Sequence, residues 1–451
     1  MGALALIAWA TLTPEAPDPA HRVPSSWCLA CGGLWLTDAL SNIALFLPFG
    51  VALALYDMRW TRVLAWATLL SVVVETCQYL GLPPGRSAAV ADVLTNALGA
   101  VIGALLATHW FALLRPKRRN AARMALGWSI ASALVMLLTA VAVGSPRWFR
   151  AERTTSTVDR SGDTASLFAP SARTHPPRFG WYGGQVDSAR LVAPTDAPLR
   201  IRRGWGGPIM VQARQPFDSL HATVSVRGRD ANTAFVPLLY IHLGADSTPA
   251  FMIGQHDGDA ELRLTRRAWE LGLRLPALRL PNAFAARPVA DSSTLTLIAT
   301  VTAGTLSLSA QTTSSTTRAS REVTRHLDVT GGWALLQSVV AVDSVLAPLA
   351  LFCWLVALVA PVGWWAARTL QRSRASGPDR ASGAVSMIVA GAQACALATP
   401  MLLATIIAPR LTGVSAIPSG IALAMLALFV LPFAFVERGV PNVQTDLPQG
   451  L

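Results

Sequence analysis

Seven runs of about twenty apolar residues decide what this chain can fold into, because a hydrocarbon layer about 30 Å thick is crossed by roughly twenty residues of helix. They are Leu36–Tyr56, Thr61–Leu82, Val90–Leu114, Met124–Gly144, Val342–Ala366, Gly383–Ala408 and Ile417–Val436. In lipid a backbone N–H or C=O has no water to bond, so each run must satisfy its own backbone and is expected to be a membrane-spanning helix. Met1–Leu12 is apolar but too short to cross comfortably, and it lacks the basic start and cleavage site of a signal peptide; it reads as a truncated or wrongly started first helix. Seven or eight spans are therefore expected. Hydrophobic residues make up 52% of the 451 and charged residues 14%, a balance that excludes a soluble globular protein throughout.

Between Gly144 and Val342 the texture changes. Phe235–Leu243, Ala260–Thr265 and Thr294–Ser309 come close to alternating apolar with polar residues, with turn signals at Asp257-Gly258 and Ala303-Gly304. Strands spaced in this way predict an all-β sandwich. Arg153–Arg178, rich in Ser, Thr, Ala, Arg and Pro, predicts a linker or an irregular first strand. The expected organisation is a transmembrane domain over residues 1–144, a β-sandwich over 145–340, C-terminal transmembrane helices over 341–437 and a cytoplasmic tail over 438–451.

Arginine placement sets the expected orientation, since short cytoplasmic loops carry the excess of positive charge. Arg59 and Arg62 fall in one loop, Arg115, Lys117, Arg118, Arg119 and Arg123 in the next but one, and Arg368, Arg372, Arg374 and Arg380 in a third. The loops between hold one arginine each, Arg22, Arg86 and Arg410, so the β domain is expected on the extracytoplasmic side. Trp35, Trp60, Trp110, Trp148, Trp364 and Trp365 stand at span ends, as an aromatic belt requires. The net charge of +12 is almost wholly arginine, Lys117 being the only lysine, and its place in short loops argues for membrane orientation and against nucleic-acid binding.

Cys77, Cys353 and Cys395 lie within apolar runs and read as small buried hydrophobes. Cys28 and Cys31 lie in a loop, where a Cys-x-x-Cys pair on the oxidising side closes a small disulfide or pairs with another thiol; a metal site needs more ligands than this pair supplies.

Ionisable groups inside a span cost a few kcal/mol each, so those present need a reason. Asp38 and Asn42 open one span and Asp92 and Asn96 another of the same polarity, each pair four residues apart and on one helix face. Glu75 and Gln78 share a face of the antiparallel span between, near the same membrane boundary, and Arg86 follows in the loop. The set Asp38, Asn42, Phe46-Leu-Pro48-Phe-Gly50, Glu75, Gln78, Arg86, Asp92, Asn96 and Gly99 resembles the signature of the VanZ-like family, over roughly residues 1–143, and the Cys-x-x-Cys ahead of Asp38 is similar to some members. The resemblance implies a bacterial cytoplasmic-membrane protein of the cell envelope, some members being associated with resistance to glycopeptide antibiotics.

Two roles are open to these groups. In one, Asp38 and Asp92 cap their helices, Asn42, Asn96 and Gln78 hydrogen-bond between helices, and Glu75 pairs with Arg86. In the other, all seven line an outward-facing pocket for a lipid head group or a lipid-linked envelope sugar. No serine–histidine pair, histidine cluster or phosphate loop accompanies them, so neither cofactor nor metal is called for and covalent chemistry has no support there. Pro48 and Pro400 interrupt spans, as at transporter sites, which makes a transporter or lipid flippase the competing reading.

In the β domain, Phe251–Leu264 with Gly332-Trp333-Ala-Leu-Leu336 resembles concanavalin A-like, laminin-G-type sandwiches, which implies a jelly-roll often used to bind carbohydrate. Asp257, Asp259 and Glu261 alternate and would project from one face of an extended strand, similar to the Glu-x-Asp-x-Glu run of some glucanases with this fold. Asp257 departs from that run, and Asp257-Gly258 is also a hairpin-turn signal, so a solvated turn competes with a membrane-tethered glycoside hydrolase. Trp181, Tyr182, Trp205 and Trp269 are candidates for stacking on sugar rings or for core packing. The expected function is non-catalytic recognition at the outer membrane face, with membrane lipids and an envelope glycan or protein as partners; nothing in the sequence sets an oligomeric state.

Overall fold

The computed structural model describes residues 2–12, 35–82, 88–144, 185–192, 347–370 and 380–437, and between 199 and 336 all but 203–208, 214–219, 230–234, 244–248, 265–266, 274, 276, 285–292, 303 and 314–317. Its elements run α1 Gly2–Leu12, α2 Trp35–Leu55, α3 Trp60–Tyr79, α4 Val90–Thr108, α5 Trp110–Leu114, α6 Arg118–Val143, β1 Gln185–Val192, β2 Leu199–Arg202, β3 Ile209–Ala213, β4 Leu220–Arg227, β5 Phe235–Leu243, β6 Pro249–His256, β7 Asp259–Leu264, α7 Arg267–Glu270, β8 Leu278–Leu280, β9 Thr294–Val301, β10 Thr305–Thr313, β11 Arg318–His326, α8 Gly332–Leu335, α9 Ala347–Leu370, α10 Arg380–Thr412 and α11 Ser419–Glu437.

Among the described residues, six helices are long and apolar enough to cross a membrane: α2, α3, α4, α6, α9 and α10. The seventh run forms α11, described as an apolar stretch over Ser419–Phe433, and the short first run forms α1. One expected span is divided. The run Val90–Leu114 leaves the helix at His109, with φ −101° and ψ 7°, and resumes as α5. The 19 residues of α4 already rise about 28 Å at 1.5 Å each, so that helix is long enough to cross without the last turn. Pro48 does not break α2, nor Pro400 α10; both helices run through them.

The chain forms two compact units. The first holds α1 to α4, the end of α6, the β domain and the connection from α10 to α11. Within it, α2 and α4 meet backbone to backbone. A Cβ at Gly50 would overlap the main chain of Ala100, at Gly99 that of Ile43, and at Gly103 that of Leu47. Without water to drive helices together, such small-residue contacts are a main source of association in lipid. Phe46 and Phe49, edge to face at 6.2 Å, fill the space beside the seam with Ile7, Val63, Ala67, Ala100 and Ala104.

The eleven described strands form two sheets, ordered β11-β10-β9-β4-β1-β2 and β3-β5-β6-β7-β8. Pairing is antiparallel except between β3 and β5. In β9 the burial alternates strictly, Leu295, Leu297, Ala299 and Val301 facing inward, and β4 answers with Leu220, Ala222, Val224 and Val226. The run Thr294–Ser309, which carries the Ala303-Gly304 turn signal, is a hairpin of β9 and β10, with the Thr302 N–H donating to the Thr305 carbonyl.

The β domain is fastened to the helices of its own unit. The N–H groups of Leu36 and Thr37 donate to the Gly272 carbonyl at 3.1 and 3.0 Å, which caps α2 from outside its own sequence. Thr37 Oγ1 donates to the Leu335 carbonyl at 3.2 Å, and Ser41 Oγ to that of Leu336 at 3.5 Å. On the α10–α11 connection, Ser415 donates its N–H to the Leu327 carbonyl and its hydroxyl to that of Gly304.

The second unit comprises α5, most of α6, α9, most of α10 and α11. Its helices are tied by side chains bonding main-chain carbonyls: Trp364 to Leu114 at 2.9 Å, Trp365 to Leu113 at 2.7 Å, Trp128 to Ala357 at 2.9 Å and Ser132 to Leu358 at 2.9 Å.

Candidate functional site

The polar groups of the first unit gather where α3 ends and α4 begins. Asn42 on α2 donates Nδ2–H to Asp92 Oδ1 on α4 at 2.8 Å. Asn96, one turn on, donates to Ser71 Oγ on α3 at 2.9 Å. Glu75 on α3 accepts the Ala89 N–H at 2.8 Å, just ahead of the first turn of α4. Gln78 reaches the Thr11 carbonyl of α1 at 3.4 Å. Asn42, Glu75, Gln78, Asp92 and Asn96 are thus bonded across the four helices.

Asp38 is exposed in the first turn of α2. The first-turn N–H groups of Leu36 and Thr37 are taken by the Gly272 carbonyl. Arg86 lies outside the described residues, as do Cys28 and Cys31. Ser71 was not anticipated, though it stands four residues before Glu75 and seven before Gln78, on the same face of α3.

Two features leave room for a ligand. The Oδ1 of Asn96 has no hydrogen-bond partner among the described residues, although Asn96 is only 2% exposed. Beside Glu75 opens a cleft of about 220 Å³ lined by Val72, Thr76, Tyr79, Ala88, Ala89, Val90 and Val93. Its walls are largely aliphatic, with a carboxylate at one side.

Residues 7–114, which carry every one of these groups, match the family model described as VanZ/LLP1. The N-terminal part of the chain is VanZ-like. No curated protein and no solved structure matches the chain. The VanZ-like match covers the polar face of α3 and both Asp-x-x-x-Asn turns, and it ends before α6, so the β domain and the later helices lie outside it.

The carboxylates of the β domain are arranged otherwise than an extended run would place them. Asp257 is in the two-residue turn between β6 and β7 at φ 55°, so the three groups do not share one strand face and the turn reading holds. Asp259 Oδ1 accepts the Asn282 N–H at 2.8 Å. Glu261 is 1% exposed and bonded to three partners: His256 Nδ1 at 2.7 Å, Arg263 Nε at 2.6 Å and Arg279 Nε at 3.2 Å. Burial alone would raise its pKa, but the His256 bond and the two guanidinium groups outweigh burial and hold it at about 2. Of the stacking candidates, Trp181, Tyr182 and Trp205 lie outside the described residues, as does the side chain of Trp269.

Proposed function

We propose that this VanZ-like membrane protein recognises the polar head of an envelope lipid, or of a lipid-linked sugar, at the outer face of the bacterial cytoplasmic membrane. The observation that carries the reading is the Glu75 carboxylate, 9% exposed, at the side of an otherwise largely apolar cleft. An amphiphile has the matching division, an acyl stem for Val72, Val90 and Val93 and an amine or hydroxyl for the carboxylate. The unpartnered acceptor of Asn96 and the Asn42–Asp92 bond supply further polar points on the same helices. Outward placement is supported by the basic loops at the opposite helix ends, Arg59 and Arg62 and then Arg115 to Arg123. The six- over five-stranded arrangement of the β domain supports a jelly-roll of the concanavalin A-like kind, bound to the same end of α2.

The test is lipid retention by native mass spectrometry. The wild type is expected to keep amine- or hydroxyl-headed lipid through delipidation, and Glu75→Gln and Asp92→Asn to retain at least tenfold less at equal abundance. An unchanged lipid complement in Glu75→Gln would overturn the reading. Loss of glycopeptide resistance in the same variants would tie the site to the resistance seen in some family members.

A further inference from the structure

We propose that the β domain regulates the polar cluster of the VanZ-like bundle through α2: docked on the first two turns of that helix it keeps Asn42 against Asp92, and undocked it lets those turns unwind and the bond open. Along its length α2 passes from one partner to another. The indole of Trp35 lies over Gly272, the N–H groups of Leu36 and Thr37 end on the Gly272 carbonyl, and the Thr37 and Ser41 hydroxyls end on the carbonyls of Leu335 and Leu336. From Ile43 onward the neighbours are Gly99, Ala100 and Gly103 of α4. Asn42, which donates to Asp92 at 2.8 Å, stands where the first hold gives way to the second.

The groups that meet here complete each other. The first N–H groups and the last carbonyls of any helix have no partner within it. Gly272 follows α7 in left-handed backbone at φ +67°, and the Leu273 N–H closes that turn on the Ala268 carbonyl at 2.7 Å, so the capping carbonyl is presented from a fixed position. Leu335 and Leu336 end α8, and their carbonyls are of the kind a helix leaves over. Thus α2 takes its acceptor from the end of one short helix and gives its hydroxyls to the end of another. Both short helices are rooted in the sheets. In the chain α7 succeeds β7, and α8 succeeds β11 through a turn in which the buried Asp328 carboxylate accepts the Thr330 N–H and hydroxyl.

Because a helical N–H bonds the carbonyl four residues back, the turn that presents Asn42 is built on the carbonyl of Asp38, inside the gripped segment. A helix end frays when its orphan groups lose their partners, and fraying that reaches Asp38 frees the turn below it. The hold can also be released, since its hydroxyl bonds are long, 3.2 and 3.5 Å. A ligand of the β domain that prefers one of its two positions therefore shifts α2 with it. The control of Asn42 stands on these contacts alone; only its consequence for lipid rests on the head-group reading of the bundle.

Hydrogen exchange on the full chain in phosphatidylcholine nanodiscs tests the device, with the hold loosened from the helix side by Thr37→Val/Ser41→Ala and from the β-domain side by Gly272→Ala. Exchange is expected to rise about tenfold or more over residues 35–42 and, across the Asn42–Asp92 bond, over residues 90–96 of α4. Asn42→Ala alone should loosen residues 90–96 to the same extent, and adding it to either variant should loosen them no further. Ser132→Ala removes a hydroxyl bond of the same kind, to the Leu358 carbonyl, and should leave both segments as in the wild type, which separates control through α2 from a general loss of stability. If both segments loosen while lipid retention holds, the regulation stands and the head-group reading falls. The proposal is overturned if residues 90–96 keep their wild-type exchange while residues 35–42 open, or if neither segment changes.

Discussion

The carbonyl oxygen of Gly272 accepts the backbone N–H of Thr37 at 3.0 Å, so a loop of the β domain caps a membrane helix 235 positions earlier in the chain. Gly272 has φ +67°, and a Cβ on it would strike the indole of Trp35. Gly272→Ala combines a left-handed backbone with that collision, and the backbone term alone costs about 1–2 kcal/mol. We expect faster hydrogen exchange at the first turn of α2 and a lower Tm, with the β-sheet amides unaffected.

Gly99 and Gly103 stand one helical turn apart where α4 meets the main chain of α2. Since this seam has no room for any side chain, Gly103→Val is expected to cost about 1–3 kcal/mol or more by overpacking. Reduced yield of folded protein in detergent, restored in part by no surface substitution, would be the measured outcome. Gly127, with open space around its Cα, is the control and should accept alanine freely.

The bond between Asn42 and Asp92 is a direct tie between α2 and α4 outside the glycine seam. A double-mutant cycle with Asn42→Ala and Asp92→Ala should return a coupling of about 0.6 kcal/mol, with roughly 1.7 as the upper end for polar contacts in bilayers. Zero coupling in thermal unfolding would show that the two side chains act separately.

Glu261 titrates at about 2 against an ordinary value of 4.5. A depressed folded pKa gives stability that is present above 4.5 and lost as pH falls from there through about 2. The shift corresponds to about 3 kcal/mol at most. Unfolding of the β domain followed between pH 6 and pH 2 should therefore steepen below about pH 4.5, and Glu261→Gln should flatten the profile while lowering stability at neutral pH.

Asp328 shows the opposite sign. Burial raises its pKa despite bonds from the Thr330 N–H and hydroxyl, so its contribution is lost as pH rises through the raised value. Asp328→Asn keeps an acceptor for Thr330 without a buried charge. We expect a higher Tm at neutral pH and none of that gain in acid.

Much of this architecture was legible in the residues. Spans showed because lipid admits only backbone that bonds to itself, so an apolar run of sufficient length has few other fates. The strand Phe235–Leu243 and the turn at Asp257-Gly258 were likewise local matters of alternation and of a backbone that Asp and Gly tolerate. The polar signature of α2, α3 and α4 was legible too, because ionisable groups in a span are rare enough to be noticed singly. Which of them bond was not. Asn96 chooses Ser71 and Asn42 chooses Asp92 through the rotation of neighbouring helices, which the glycine seam sets and no single-helix periodicity encodes. The cap on α2 and the burial of Glu261 beneath Arg263 and Arg279 belong to the same class. They join residues from separate elements, and their partners are fixed only when packing removes the freedom of every element at once.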